Sequence, residues 1–189
     1  TVPVPVYTQD VLNGKTIKQI TTGYYHTCVI ASDNKDYCWG SGAVGRLGNG
    51  GIIQRNAPYP VRETTTTVIS QIAAGNEHTC SLNSEGKLHC WGRGINGELG
   101  RDVFLASYTP AAVNMNNFGT ESVKQVVAGD GFTCASTVEG TAFCWGSNDK
   151  GRTGVGLATG KTQYPTAVKG LNGKKVESIS AGDSHACAV

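Results

Sequence analysis

Seven cysteines in 189 residues carry most of the reactive chemistry open to this chain. Six form three pairs with nine residues between members: Cys28 and Cys38, Cys80 and Cys90, Cys134 and Cys144. A histidine precedes two of the first cysteines, in His26-Thr27-Cys28 and His78-Thr79-Cys80. Residues two apart share one face of a strand, so His, Cys and a second Cys nearby could begin a zinc site. The third copy argues against it, because Phe132 replaces the histidine while Cys134 and Cys144 remain. A redox pair needs Cys-x-x-Cys and an activated thiolate, which a nine-residue gap does not supply. A staple fits. Directly opposed residues on adjacent antiparallel strands have Cα atoms about 4.5–5.5 Å apart, inside the disulfide range. Each bridge would contribute about 2.5–3 kcal/mol by restricting the unfolded chain. Three disulfides, with Cys187 unpaired, imply an oxidising compartment and hence a secreted or cell-surface protein.

The cysteines are positioned by a repeat. Segments 15–40, 67–92, 121–146 and 174–189 align, and their first cysteines fall at 28, 80, 134 and 187, in steps of 52, 54 and 53. A P-x-x-V stretch precedes each, at 3–6, 58–61, 110–113 and 165–168. With 26 Gly, one Met, turn residues every ten positions or so and no sustained 3.6-residue apolar period, short strands are expected and almost no helix. Each unit reads as a four-stranded meander: P-x-x-V with Pro at its start, then 17–21, 27–31 and 37–40 in the first copy. Four antiparallel strands every fifty-odd residues describe an all-β propeller blade. The repeats are placed at 3–57, 58–109, 110–164 and 165–189, the last incomplete, in a single fragment 1–189. Cys187 has no partner ten positions on, and the chain begins at Thr1, so a processed chain or a fragment cut inside a blade is expected.

The pattern A-G-x-x-H-T-C…C-W-G-x-x-x-x-G-x-L-G resembles the regulator of chromosome condensation repeat family. The resemblance covers nearly the whole chain and implies three blades plus part of a fourth, from a seven-bladed ring. Paired cysteines are not general to that family, so the chain is identified as a cysteine-paired, secreted member of bacterial type. Related proteins include a nuclear exchange factor that docks on chromatin and a secreted bacterial inhibitor of β-lactamases. The cysteines favour the second analogy, without its target.

Other motifs are weaker. Gly40-Ser-Gly42-Ala-Val-Gly45 matches a dinucleotide fingerprint, but the sequence after it is no helix. The third copy has Asn148 at the middle position, which reads as a shared turn requirement, Gly and Asn both tolerating positive φ. Ser32-x-x-Lys35 and the oxygens of Asp33, Asn34 and Asp36 read as a solvated hairpin tip. His26, His78 and His185 read as structural residues closing the glycine turn, and Trp39, Trp91 and Trp145 as blade packing. Net charge is +2 without a basic stripe, and no apolar run reaches membrane-spanning length. No nucleic-acid partner, membrane insertion, cofactor, metal or catalytic set is expected, and a small-molecule ligand is disfavoured.

The meander puts the G-x-x-H turn and the C-W-G loop at one end of each blade. Residues that vary between copies there are the candidate protein-binding face: Tyr24, Tyr25, Asn76, Glu77, Arg93, Ile95, Asp130, Asn148 and Asp149. The expected function is a non-enzymatic extracellular interaction module, adhesin-like or inhibitor-like. The alternative is a self-assembling subunit of an extracellular filament.

Overall fold

A computed structural model describes residues 2–62, 68–156 and 160–189. Three four-stranded antiparallel sheets follow one another: β1 (Ile17–Thr22), β2 (His26–Ala31), β3 (Asp36–Gly40) and β4 (Arg55–Pro60); then β5 (Ile69–Ala74), β6 (His78–Asn83), β7 (Leu88–Gly92) and β8 (Ser107–Ala112); then β9 (Val123–Ala128), β10 (Phe132–Thr137), β11 (Ala142–Ser147) and β12 (Lys161–Ala167). A two-stranded sheet, β13 (Ile179–Ala181) and β14 (Ala186–Ala188), begins a fourth blade. Among the described residues the helical content is three 3-10 turns, and no helix is long and apolar enough to cross a membrane.

Blade and sequence repeat are offset by one strand. The P-x-x-V stretches do not open a new blade. Pro58 and Pro60 lie in β4, which pairs with β3 through Tyr37↔Pro60 and Cys38↔Tyr59. The prolines therefore lie inside an outer edge strand, not at its start. An edge strand can carry them because its missing N–H groups face no neighbour. Pro3–Val6 forms no strand and is exposed.

The cores lie between blades. Cys28, Ile30, Cys38, Leu47 and Val61 of the first blade enclose Ile72 and Trp91 of the second. Cys80, Cys90, Leu99 and Val113 of the second likewise meet Val126 and Trp145 of the third. Trp91 and Trp145 are fully buried, whereas Trp39 is half-buried. Each bridged pair is in direct register, Cys28↔Cys38, Cys80↔Cys90 and Cys134↔Cys144, with Cα atoms 4.1 Å apart in a disulfide.

Polar side chains join the blades as well. Gln19 on β1 donates its amide N–H to Ile72 O at 2.9 Å and accepts from Ile72 N–H at 3.0 Å. Gln125 makes the same pair of bonds to Ile179, both at 2.9 Å, and Gln71 accepts from Val126 N–H at 2.8 Å. A glutamine on each of β1, β5 and β9 thus stands in for a backbone ladder between sheets that do not otherwise pair. Each such bond contributes about 0.5–1.5 kcal/mol.

Candidate interaction face

G-x-x-H turns join β1 to β2, β5 to β6 and β13 to β14, and the β9–β10 turn has Phe132 in place of the histidine. Their glycines are dictated by the histidine ring and the next blade. A Cβ on Gly23 would lie 2.3 Å from His26 Cε1 and 2.2 Å from Gly75 O, and one on Gly75 would lie 2.5 Å from Gly129 O. The backbone closes each turn, with Gly23 N–H donating to His26 O. The ring stays packed against the turn glycine, as expected of a structural histidine, but its hydrogen bond goes to the neighbouring blade. His26 Nε2 lies 2.8 Å from Thr79 Oγ1, and His78 Nε2 lies 2.9 Å from Thr133 Oγ1. Both threonine hydroxyls already donate, to Arg46 O and Glu98 O, so the imidazoles donate from Nε2. Trp91 and Trp145 give their indole N–H groups to those same two carbonyls at 3.0 Å. Burial, followed by nearby Arg46, lowers His26 to about 4. Burial, then His26 and Arg93, lowers His78 to about 3. With Nε2 on a threonine and both cysteines in a disulfide, the zinc triad of the first two copies is already committed.

Turn and loop share one end of each blade. The first loop residue donates to the turn: Ser41 N–H to Tyr25 O, Arg93 N–H to Glu77 O and Ser147 N–H to Gly131 O. On this end Tyr24 and Tyr25 form an edge-to-face pair, ring centroids 4.4 Å apart, and both residues are more than 60 % exposed. The Tyr25 ring lies 6.0 Å from the Arg46 guanidinium. Arg46 reaches across the blade boundary to Glu77 at 3.0 Å, and Arg93 binds the other oxygen of that carboxylate at 2.8 Å. Arg46 also donates to Asn76 O at 3.4 Å. Tyr24, Tyr25, Asn76, Glu77 and Arg93 thus form one patch, and Ile95 lies exposed two residues beyond Arg93.

The remaining candidates separate from it. Asp130 and Asp149 sit around Arg152, which donates to the carbonyls of both at 2.8 and 3.0 Å. Asn148 is a correction. It is fully buried, and its Oδ1 accepts from the Thr153 N–H and hydroxyl, so it presents no side chain to a partner. Its φ is −115°, so a shared positive φ is not why Gly42, Gly94 and Asn148 occupy one position. Gly42 and Gly94 are needed for close approach: a Cβ would meet Ile53 O at 2.4 Å and Leu105 O at 2.1 Å. The hairpin tip is corrected too. Asp33 is not merely solvated, since it binds Lys15 at 2.8 Å and accepts from the Tyr37 hydroxyl at 2.7 Å.

Three features of this end escaped the sequence reading. Arg46 organises the patch. Ile52, Ile53, Phe104 and Leu105 add exposed apolar loop surface. Glu98, at the repeat position of Arg46 and Arg152, is wholly buried. One of its oxygens accepts from Asn96 N–H at 2.7 Å, and the other has no hydrogen-bond partner among the described residues. Burial pushes its carboxyl up to about 7. The signal for Arg46 and Glu98 was the variable x of G-x-L-G, a position the motif itself leaves open.

Models of the Regulator of chromosome condensation (RCC1) repeat match residues 33–82, 85–136 and 139–189, and a second model of that repeat matches 17–46, 69–98 and 123–152. The ultraviolet-B receptor UVR8 of Arabidopsis thaliana is 32% identical over 179 residues, covering 94% of this chain and 40% of the receptor. The crystal structure of human WBSCR16 superposes with a TM-score of 0.85 at 24% identity, over 95% of this chain and 46% of that one. Prp20p of Saccharomyces cerevisiae gives 0.81 at 24% identity, over 91% and 43%. The chain therefore spans less than half the length of each of these proteins. The in-register cysteines, the turn histidines and the tryptophans all fall on the repeat that those models describe, and the chain belongs to the regulator of chromosome condensation repeat family.

Proposed function

We propose that this chain is a non-enzymatic, extracellular protein-binding module that uses the Tyr24–Tyr25 end of its blades. The observation that carries this reading is the exposed aromatic pair beside a carboxylate clamped by two arginines. Tyrosine and arginine are enriched among the residues that carry binding energy at protein interfaces, because they offer large contact area and directed hydrogen bonds. The patch spans two blades held together by disulfide-backed cores, so it is preorganised. Yeast Prp20p, which shares the fold, binds Gsp1p and histones, and this supports protein binding as a use of such propellers. Three bridged pairs support an oxidising compartment for this one.

The test is chemical cross-linking from the patch in native extracellular fluid, followed by affinity measurement with the captured protein. Tyr24→Ala, Tyr25→Ala and Arg93→Ala should each weaken binding, with at least one costing about 2 kcal/mol, roughly thirtyfold. Undiminished affinity in all three overturns the assignment of this face. Seven alkylatable thiols in protein from its natural source would overturn the extracellular reading.

A further inference from the structure

Arg46, Glu98 and Arg152 fill one repeat position. Arg46 meets a carboxylate across its blade boundary, because the turn of the second blade carries Glu77. At the next boundary both halves of that pair have changed. Glu98 replaces the arginine, and Gly131 stands at the turn position of Glu77. The Asn96 side chain fills the space: a Cβ on Gly131 would lie 2.9 Å from Asn96 Nδ2. Glu98 is thus sealed between the second and third blades, each of which has all four strands. Its Oε2 accepts from Asn96 N–H, and Oε1 has no hydrogen-bond partner among the described residues.

Charged groups approach it from several elements. The cations acting on it are Arg93, in its own loop, and Lys161 on β12. Lys161 Nζ is exposed and donates to Ile95 O at 2.9 Å. The β9–β10 turn and the loop after β11 carry Asp130 and Asp149, whose carbonyls both bind Arg152. From β6 comes His78, joined to Glu98 O through the Thr133 hydroxyl. Burial lowers that imidazole to about 3, so it is uncharged near neutral pH. Trp145 and Gly146 of β11 do not titrate. Burial raises the Glu98 carboxyl to about 7, against the pull of backbone N–H groups and the two cations. An ionised, buried oxygen without a donor costs more than a partly exposed ion pair returns. Arg93 is held in such a pair, by Glu77, which keeps Arg46 if Arg93 leaves.

We propose that Glu98 and Glu77 compete for Arg93, so that ionisation of Glu98 withdraws the Arg93 guanidinium from the interaction face and protonation returns it. The consequence rests on the reading of that face as a binding surface: a partner that uses Arg93 is held at mildly acid pH and released as pH rises through 7.

The exchange itself is tested without a partner. In chain labelled with ¹³C and ¹⁵N, the Glu98 carboxyl carbon and the Arg93 Nε–H resonance are followed from acid to alkaline pH. Both should move with one midpoint. In Glu98→Gln the Arg93 resonance should keep its low-pH position throughout. In Glu77→Gln, which removes the competitor, Glu98 should bind its proton at least roughly threefold more weakly. An Arg93 resonance that stays still while Glu98 titrates would overturn the proposal. So would a Lys161 Nζ resonance that moves in its place, or a Glu98 midpoint unchanged by Glu77→Gln. With a protein captured by the face, affinity should fall above pH 7 for the parent chain and not for Glu98→Gln. An equal fall in both would overturn the regulation and leave the face standing, whereas resonances that exchange in a chain no partner binds would sink the face and leave the exchange.

Discussion

Glu98→Gln should stabilise the protein at pH 8 and do little at pH 5. Glu98 has no exposed surface and one oxygen without a hydrogen-bond partner among the described residues, and burial raises its carboxyl from 4.5 to about 7. The N–H groups of Glu98 and Asn96 and the charges of Arg93 and Lys161 pull the other way and do not offset the burial. A group whose folded pKa lies above its unfolded value contributes stability in full below the unfolded pKa, here 4.5. That contribution is lost as pH rises towards 7. Between pH 5 and 8 the loss is about 2–3 kcal/mol. Gln keeps the acceptor for Asn96 and carries no charge, so the variant escapes it. The histidines slope the opposite way. His26 and His78, lowered to about 4 and about 3, contribute stability above 6.5 that is lost as pH falls. The assay is therefore the difference between Glu98→Gln and the parent chain in urea unfolding at pH 5, 6, 7 and 8, which cancels the histidine contribution. A difference that stays constant with pH would mean that Glu98 titrates as an ordinary carboxyl, and the reasoning from its burial fails.

Three further outcomes are expected. His78→Phe and Thr133→Ala should each destabilise by about 1–3 kcal/mol, and the double variant by less than their sum. Removing one partner strands the other, and the chain itself carries the apolar version of this pair at Phe132 and Ala186; full additivity in the double-mutant cycle would refute the link. Replacing Cys80 and Cys90 together by Ala should cost about 2–3 kcal/mol in urea unfolding, and an unchanged midpoint would show that the second bridge adds nothing. Gln71→Leu leaves Val126 N–H without its acceptor and should cost about 1–3 kcal/mol, read as a lowered unfolding midpoint at unchanged slope.

Much of the fold was legible because the repeat restates each constraint three or four times. The turn at Gly23, the step from Cys28 to Cys38 and the tryptophan after the second cysteine recur in register, and recurrence separates structure from accident. The P-x-x-V strand was misplaced because a repeat has no marked beginning. Period and composition cannot say whether an outer edge strand ends one blade or opens the next; pairing decides that, and pairing is long-range. The histidine role was half-read for the same reason. His26 closes its own turn by backbone, but its ring answers to Thr79, fifty-three residues away. Gln19, Gln71 and Gln125 went unnoticed because an amide on a strand looks like surface until a second sheet stands within reach.

The candidate face shows where variation between copies stops being a guide. It picked out Tyr24, Tyr25, Glu77 and Arg93, which meet in one patch, but it also picked out Asn148, which is buried. Variation marks two different things: positions free of constraint, and positions where each copy solves its own packing problem. Arg46, Glu98 and Arg152 at one repeat position are the second kind. Arg46 crosses to a carboxylate, Arg152 to backbone carbonyls, and Glu98 is sealed between blades with an oxygen unmatched. Because Arg46 is buried yet fixes Glu77, and Glu77 fixes Arg93, the exposed patch inherits its geometry from a side chain that no partner touches. The proposed binding surface and the interface that folds are therefore one network in the first two blades. A substitution at Arg46 should disturb both, whereas one at Tyr24 should disturb binding alone.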